Sequence, residues 1–238
     1  MPTHLVNLDA LIKREDFEAE GHGLERKSVF KLDELTANSI FLNTLRKPDF
    51  QRQTASWKPI MVAEFVKSFL DNDLIPYIIM WHSSKSGKIF VIDGAHRLSA
   101  LIAWVNDDYG DGIISQSFFD VIPYEQRKFA KQTRDLLRES IGTYKDLTHV
   151  GLYPDTAKND LTVLRARHAA SFTIESQWVQ GDAKTAEDSF FRINGNPATI
   201  DPTELDIIKA RRKPNAIATR ALMQGGTGHK YWAFSADK

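Results

Sequence analysis

The sequence predicts an α+β fold, a small mixed sheet flanked by helices and joined to a helical C-terminal part. Three observations carry that prediction. Tyr77-Ile78-Ile79-Met80-Trp81 and Lys88-Ile89-Phe90-Val91-Ile92 are short apolar runs on either side of Ser83-Ser84-Lys85-Ser86-Gly87, the pattern of a β-hairpin. Val62, Phe65, Val66, Phe69 and Leu70 fall at i, i+3, i+4, i+7 and i+8, the spacing of one helical face. The last third of the chain carries helix patterns and a helix-start signal rather than alternation.

The elements follow in order. Residues 1–35 are polar and charged with few periodic apolar positions, so residues 1–40 read as an arm or a marginal helix. Lys47-Pro48-Asp49-Phe50-Gln51-Arg52-Gln53 is a turn or extended stretch, because the residue before a proline is pushed away from helix. A helix over 58–72 tolerates Pro59 near its start and ends at Asp71-Asn72-Asp73. A second helix runs from about His96, with Leu98, Leu101, Ile102 and Val105 on one side. Asn106 to Gly112 is a loop, and Phe118-Phe119-Asp120-Val121-Ile122 reads as a third strand, so the sheet is expected between about 77 and 122. A charged amphipathic helix with Phe129, Leu136 and Leu137 follows Pro123, while Phe172 to Trp178 fits strand or loop. Phe190, Phe191 and Ile193 share a helix that stops near Asn194-Gly195-Asn196-Pro197. Asp201-Pro202-Thr203-Glu204 then gives an N-cap, a first-turn proline and an acidic residue three positions on. The organisation expected is an arm over 1–40, a core over 41–150, and a mostly helical part over 151–238 that reads as incomplete.

Composition limits the chemistry. Apolar residues make up 42% of the 238, enough for a folded core. Lys plus Arg number 31 against 31 Asp plus Glu, so any contact with nucleic acid must come from a local patch. With no cysteine there is no disulfide, thiolate metal site or Cys nucleophile. The histidines lack ligand spacing, and no structural zinc is expected. The start lacks a signal-peptide pattern and no apolar run reaches the roughly 20 residues of a membrane span. A soluble cytoplasmic protein is expected.

The segment Val91-Ile92-Asp93-Gly94-Ala95-His96-Arg97-Leu98 holds the chemistry. A strand ends, a glycine turns the chain, and a helix begins with its unpaired N–H groups available to an anion. Arg97 can grip a phosphate with two parallel hydrogen bonds, and His96 can donate a hydrogen bond or titrate near neutral pH. Asp93 can orient the turn, cap the helix, or hold a Mg²⁺ ion that accompanies phosphates. The plain alternative is a connector in which Asp93 is only a cap.

Ile92 to Ala100 resembles the Asp-Gly-Gln-His-Arg or Asp-Gly-Gln-Gln-Arg signature of ParB/sulfiredoxin-like proteins. Phe50-Gln51-Arg52 with Trp57, Ile75-Pro76, Phe190-Phe191-Arg192-Ile193-Asn194 and Glu204-Leu205 resemble, in the same order, the GmrSD-type restriction domain, the domain of unknown function numbered 262. The resemblance covers about residues 45–210. Ala95 departs from it, standing where the family has Gln. Sulfiredoxin chemistry is excluded by the missing cysteine. The resemblance implies nucleotide-dependent work on DNA: binding of ATP, GTP or CTP with Mg²⁺, and service to a DNA-modification or restriction (phage defence) system.

The site residues expected are Asp93, His96 and Arg97 for catalysis, and Gln51, Arg52, Gly94, His96, Arg97 and Asn194 for nucleotide phosphate, with Asp93 as the Mg²⁺ partner. Gln51, Arg52, Asp93, His96 and Arg97 are expected to converge on one concave site. Asn194 is equally a helix C-cap, Glu204 is first a capping residue, and Trp57 is core packing before it is a stacking platform. Arg165, Arg167 and His168, like Lys209, Arg211, Arg212 and Lys213, read first as solvated basic faces and otherwise as DNA-phosphate contacts. Two functions remain. One is an enzyme, a nucleoside triphosphate hydrolase or a DNA-nicking nuclease. The other is a non-catalytic nucleotide- or DNA-binding subunit that regulates a DNA-modifying or restriction enzyme.

Overall fold

The structure is a computed structural model and describes residues 5–17, 28–51, 53–119 and 121–194, together with 213 and 214. Contacts divide the chain into one unit over 1–190 and another over 191–238. The sheet and the turn at Asp93–Arg97 belong to the first unit. Arg52 and the helix expected at Asp201-Glu204 lie outside the described residues, as do Lys209, Arg211 and Arg212.

Six strands form the sheet: β1 (Arg14–Glu15), β2 (Val29–Lys31), β3 (Leu45–Pro48), β4 (Ile78–His82), β5 (Ile89–Asp93) and β6 (Thr173–Trp178). Their order is β1-β3-β5-β4-β6-β2. The β4–β5 pair is the expected antiparallel hairpin, Met80 opposite Val91 and His82 opposite Ile89. β3 joins β5 in parallel on one side, and β6 joins β4 in parallel on the other, so the sheet is mixed. The hairpin is thus the middle of the sheet, and both its strands are almost wholly buried.

Two helices bring the site together. α2 (Pro59–Leu70) follows the short helix α1 (Ile40–Thr44) and buries Val62, Val66, Phe69 and Leu70, the face that the spacing predicts. α3 (Ala95–Asn106) starts where β5 ends. It is buried nearly all round, Leu98 through Trp104 without a break, so it is the core helix rather than an amphipathic cover. Its alanines and Ser99 keep the surface slim enough for close packing on every side.

Three expectations change. The strand over Phe118–Ile122 does not form; α4 (Ile113–Phe118) occupies its first part and the chain leaves it extended at Phe119. The cause is buried Asp108, whose carboxylate accepts from the N–H groups of Gly110, Gly112 and Ser115 and from the Ser115 hydroxyl, and so winds the loop into a helix. The sheet finds its other strands far away in sequence, in residues 14–15, 29–31, 45–48 and 173–178. The polar N-terminal stretch is no loose arm. It buries Val6, Leu8, Leu11, Ile12 and Phe17, and after them Phe30, Leu32 and Leu35.

The C-terminal half of this unit is helical apart from β6. α5 (Tyr124–Ser140) is the charged amphipathic helix expected after Pro123, and α6 (Tyr144–Leu152) and α7 (Asp160–Ser171) follow. α8 (Ala183–Asn194) carries Phe190 and ends at Asn194. Among the described residues no helix is long and apolar enough to cross a membrane.

Candidate functional site

The turn forms as its sequence dictates. Gly94 has φ +90°, a conformation that side chains resist, and it is the N-cap of α3. Having no side chain, Gly94 offers no cap hydrogen bond, so the first N–H groups of α3 keep their electropositive face. Asp93 is not the cap. Its Oδ2 instead accepts from Arg97 Nη2 at 2.8 Å, and the same nitrogen donates to the carbonyl of Tyr77 at 3.1 Å. The guanidinium lies over the glycine: a Cβ on Gly94 would sit 3.0 Å from Arg97 Nη2 and 2.6 Å from Ile78 Cδ1. Only glycine lets Arg97 take this place.

His96 leans the other way. Its Nε2 lies 2.7 Å from Ser56 Oγ, and its ring stacks on Trp57 with centroids 5.7 Å apart. Trp57 precedes the first turn of α2, whose N-cap Lys58 also makes no side-chain cap bond. The N-termini of α2 and α3 therefore meet across Ser56, Trp57 and His96. Burial, helped by the nearby positive charge of Lys47, pushes the His96 imidazole down to about 4. At neutral pH it is an uncharged hydrogen-bonding ring, not the near-neutral titrating group that its residue type suggests.

Gln51 is buried, and its Nε2 donates to the carbonyls of Val91 and Ile92 at 3.0 and 3.1 Å. It latches the segment after β3 onto the end of β5. Its amide nitrogen is used up there, so Gln51 positions the site, and only Oε1 is left without a partner. The buried side-chain atoms without a hydrogen-bond partner among the described residues include Gln51 Oε1, Arg97 Nε and Ser99 Oγ, all within about a turn of this motif. Ala95 is buried and apolar.

Beneath the turn lies a charge pair that the sequence reading missed. Lys47 is fully buried and its ammonium donates to the Asp9 carboxylate, the Asp9 carbonyl and the Thr54 hydroxyl. Thr54 N–H also donates to Asp9 Oδ1. Burial pushes the Asp9 carboxyl up, but Lys47 and Arg14 outweigh it and hold the group well below the usual carboxylate range. Burial pulls the Lys47 ammonium down to about 8 against the attraction of Asp9. Arg14 donates to the carbonyls of Gln51 and Asp49. Val6 and Leu8 donate from their N–H groups to the carbonyls of Trp57 and Thr54. The N-terminal residues thus clamp the loop 49–57 that carries Gln51, Ser56 and Trp57. The available signal was one acid, Asp9, inside the otherwise apolar run from Leu8 to Ile12.

Gln51, Gly94, Asp93, His96 and Arg97 are therefore gathered at the end of β5. Asn194 ends α8 in the other unit, and its side chain, like Arg52, lies outside what is described. Arg165 is not a solvated basic group. It is buried, with Nε and Nη2 on the two Asp71 oxygens and Nη1 on the Ser140 carbonyl. His168 Nδ1 lies 2.6 Å from the Leu70 carbonyl. Asp93 is the one carboxylate that the turn would offer to Mg²⁺, and its Oδ2 is paired with Arg97. No group of three or more His, Cys, Asp or Glu able to hold a metal occurs among the described residues.

Fold and turn together define a mixed α/β domain built around a strand–glycine–helix turn. The family model of the GmrSD restriction endonuclease N-terminal domain matches residues 32–211, well over half of the chain, and the chain belongs to that family. No curated protein and no solved structure matches it. The match places the chain with a restriction and DNA-modification theme, as the motif order implies.

Proposed function

We propose that this chain binds a nucleoside triphosphate by its phosphates at Asp93–Arg97 and hydrolyses it while acting on DNA in a restriction or modification system. The observation that supports this reading is Arg97. Its guanidinium is held over Gly94 beside an uncapped helix start, with Nε unpartnered and a single carboxylate as its ionic partner. A phosphate can replace that carboxylate with two parallel, charge-assisted bonds while the helix N–H groups take a further oxygen. Asp93, once released, is free to hold Mg²⁺, which would neutralise phosphate charge in the bound complex. His96, uncharged at neutral pH, hydrogen-bonds the phosphates or the attacking water, with Ser56 fixing its ring. Positioning and electrostatics carry the rate in such a site. ATP, GTP and CTP are the candidate ligands, and a DNA-modifying or restriction subunit is the expected partner.

A second reading, binding without turnover as a regulatory subunit, is favoured by Ala95. It is apolar and buried where the family has a glutamine amide, so one polar group that could touch a phosphate or water is lost. Phosphate release from ATP, GTP and CTP, with and without DNA, separates the two for wild type and Arg97→Ala. Turnover lost in Arg97→Ala supports the enzyme. Nucleotide binding with no turnover supports the regulatory subunit, and no binding at all would sink both.

A further inference from the structure

A cleft of about 430 Å³ lies between α2, β4, α3 and β6. That is within the roughly 300–1,000 Å³ of small-ligand sites. Its wall is apolar: Phe65 and Phe69 of α2, Ile78 of β4, Leu101 of α3 and Phe172, with Ile75 beside them. Asp93, His96 and Arg97 are not among its described lining residues, so a ligand here is separate from the turn.

The charge of the cleft has one sign. Its described lining residues include two carboxylates, Asp73 and Glu175, and no Lys, Arg or His. Asp73 comes from the link after α2. Glu175 comes from β6, where it shares the exposed side of the strand with Thr173. Asp71, two residues before Asp73, already holds Lys67 and Arg165. No ion pair to Asp73 or Glu175 occurs among the described residues. The Tyr77 hydroxyl donates to Glu175, which orients the carboxylate without neutralising it.

Two acids from separate elements beside a phenyl-lined trough match a ligand with methylenes between cationic ends. Ammonium groups pair with the carboxylates, and phenyl faces attract cations as well. The hydrocarbon stem lies on Ile75, Ile78 and Leu101. A neutral apolar ligand would gain nothing from the acids, and an anion would be repelled. We propose that this cleft binds an aliphatic polyamine, its ammonium groups on Asp73 and Glu175 and its methylene chain on the phenyl-lined wall. The inference stands independently of phosphate binding at the turn.

The test is calorimetric titration of the full chain with spermidine, butylamine and the peptide acetyl-Lys-Gly-Lys-amide at constant ionic strength. Wild type is expected to bind spermidine at least about tenfold more tightly than butylamine, which offers one ammonium to two carboxylates. Asp73→Asn and Glu175→Gln are of equal size to the residues they replace and lie at exposed positions. Each is expected to weaken spermidine about three- to tenfold, and the double variant more. Thr173→Trp places a large ring in the cleft from an exposed position on β6. It is expected to weaken spermidine about tenfold or more. Spermidine should raise the melting temperature of wild type more than that of the double variant. Spermidine bound no more tightly than butylamine, or equally by wild type and the double variant, overturns the proposal, whether or not the tryptophan variant folds. The peptide bound more tightly than spermidine, with the same dependence on both acids, overturns the polyamine in favour of lysine side chains of a protein partner.

Discussion

Two arginine–aspartate pairs in this protein share their residue types and differ in physics. Arg165 meets Asp71 at the joint of α2 and α7; Arg97 meets Asp93 at the turn. At the joint the guanidinium side chain is 8% exposed and all three of its nitrogens are bonded. At the turn the side chain is 21% exposed, one nitrogen does all the bonding, and Nε has no partner. The first arginine is complete and has nothing left to offer a ligand. The second has donors in reserve beside a helix start. What separates the two arginines is the count of satisfied donors, not charge or residue type.

The comparison breaks most visibly at the joint. Arg165→Ala leaves the Asp71 carboxylate and the Ser140 carbonyl without their partner. It should cost about 2–4 kcal/mol of stability, toward the lower part of the range for a buried pair because Asp71 is partly exposed. Chemical denaturation measures this, and nucleotide affinity of the folded variant should be unchanged. A loss under about 1 kcal/mol would mean that the joint is no more than a surface pair.

Gly94→Ala attacks the turn through the backbone. The new methyl meets Ile78 and the Arg97 guanidinium at a positive φ. A destabilisation of about 1–3 kcal/mol is expected, together with loss of nucleotide affinity. If affinity survives, the placing of Arg97 over the glycine is irrelevant to binding.

Arg97→Ala should do the opposite of Arg165→Ala. Affinity for nucleotide is expected to fall about 10- to 100-fold, while stability changes by no more than about 1 kcal/mol. Arg97→Lys should recover part of the affinity, since it keeps the charge without the fork. Ligand-induced shifts in thermal melting read both quantities at once.

The smallest effect is in pH. His96 has a folded value of about 4 against an ordinary 6.5, so between these the unfolded chain binds the extra proton. Stability should therefore rise with pH across that window and fall as acid is added, and His96→Gln should remove this part of the slope. Arg165 hydrogen bonds hold the Asp71 carboxyl below its ordinary value. The joint's own contribution is present above the unfolded carboxylate range and is lost only at still lower pH. Denaturation midpoints from pH 7 to pH 4, with and without His96→Gln, check the separation; identical curves would show that His96 is not held uncharged by the fold.

Local order in the sequence determined the hairpin, the two helices beside it and the turn between β5 and α3. Each is written in neighbouring residues: apolar period, a polar turn, a glycine after a strand. The same local information placed Asp93, Gly94, His96 and Arg97 on one turn. Tertiary structure alone decided the rest. Residues 45–48 and 173–178 became strands because the hairpin's open edges could be paired, and 14–15 and 29–31 then paired with those two strands, a demand that comes from distant backbone. The run at Phe118–Phe119 was kept out of the sheet by one buried carboxylate eleven residues and fewer upstream. Asp9, Lys47 and Thr54 lie in three separate stretches, and no periodicity marks a charge that is tolerable in the core only because its partner arrives there too. Sequence specifies what neighbours can do, whereas the pairing of buried polar groups is settled only when the chain has closed around them.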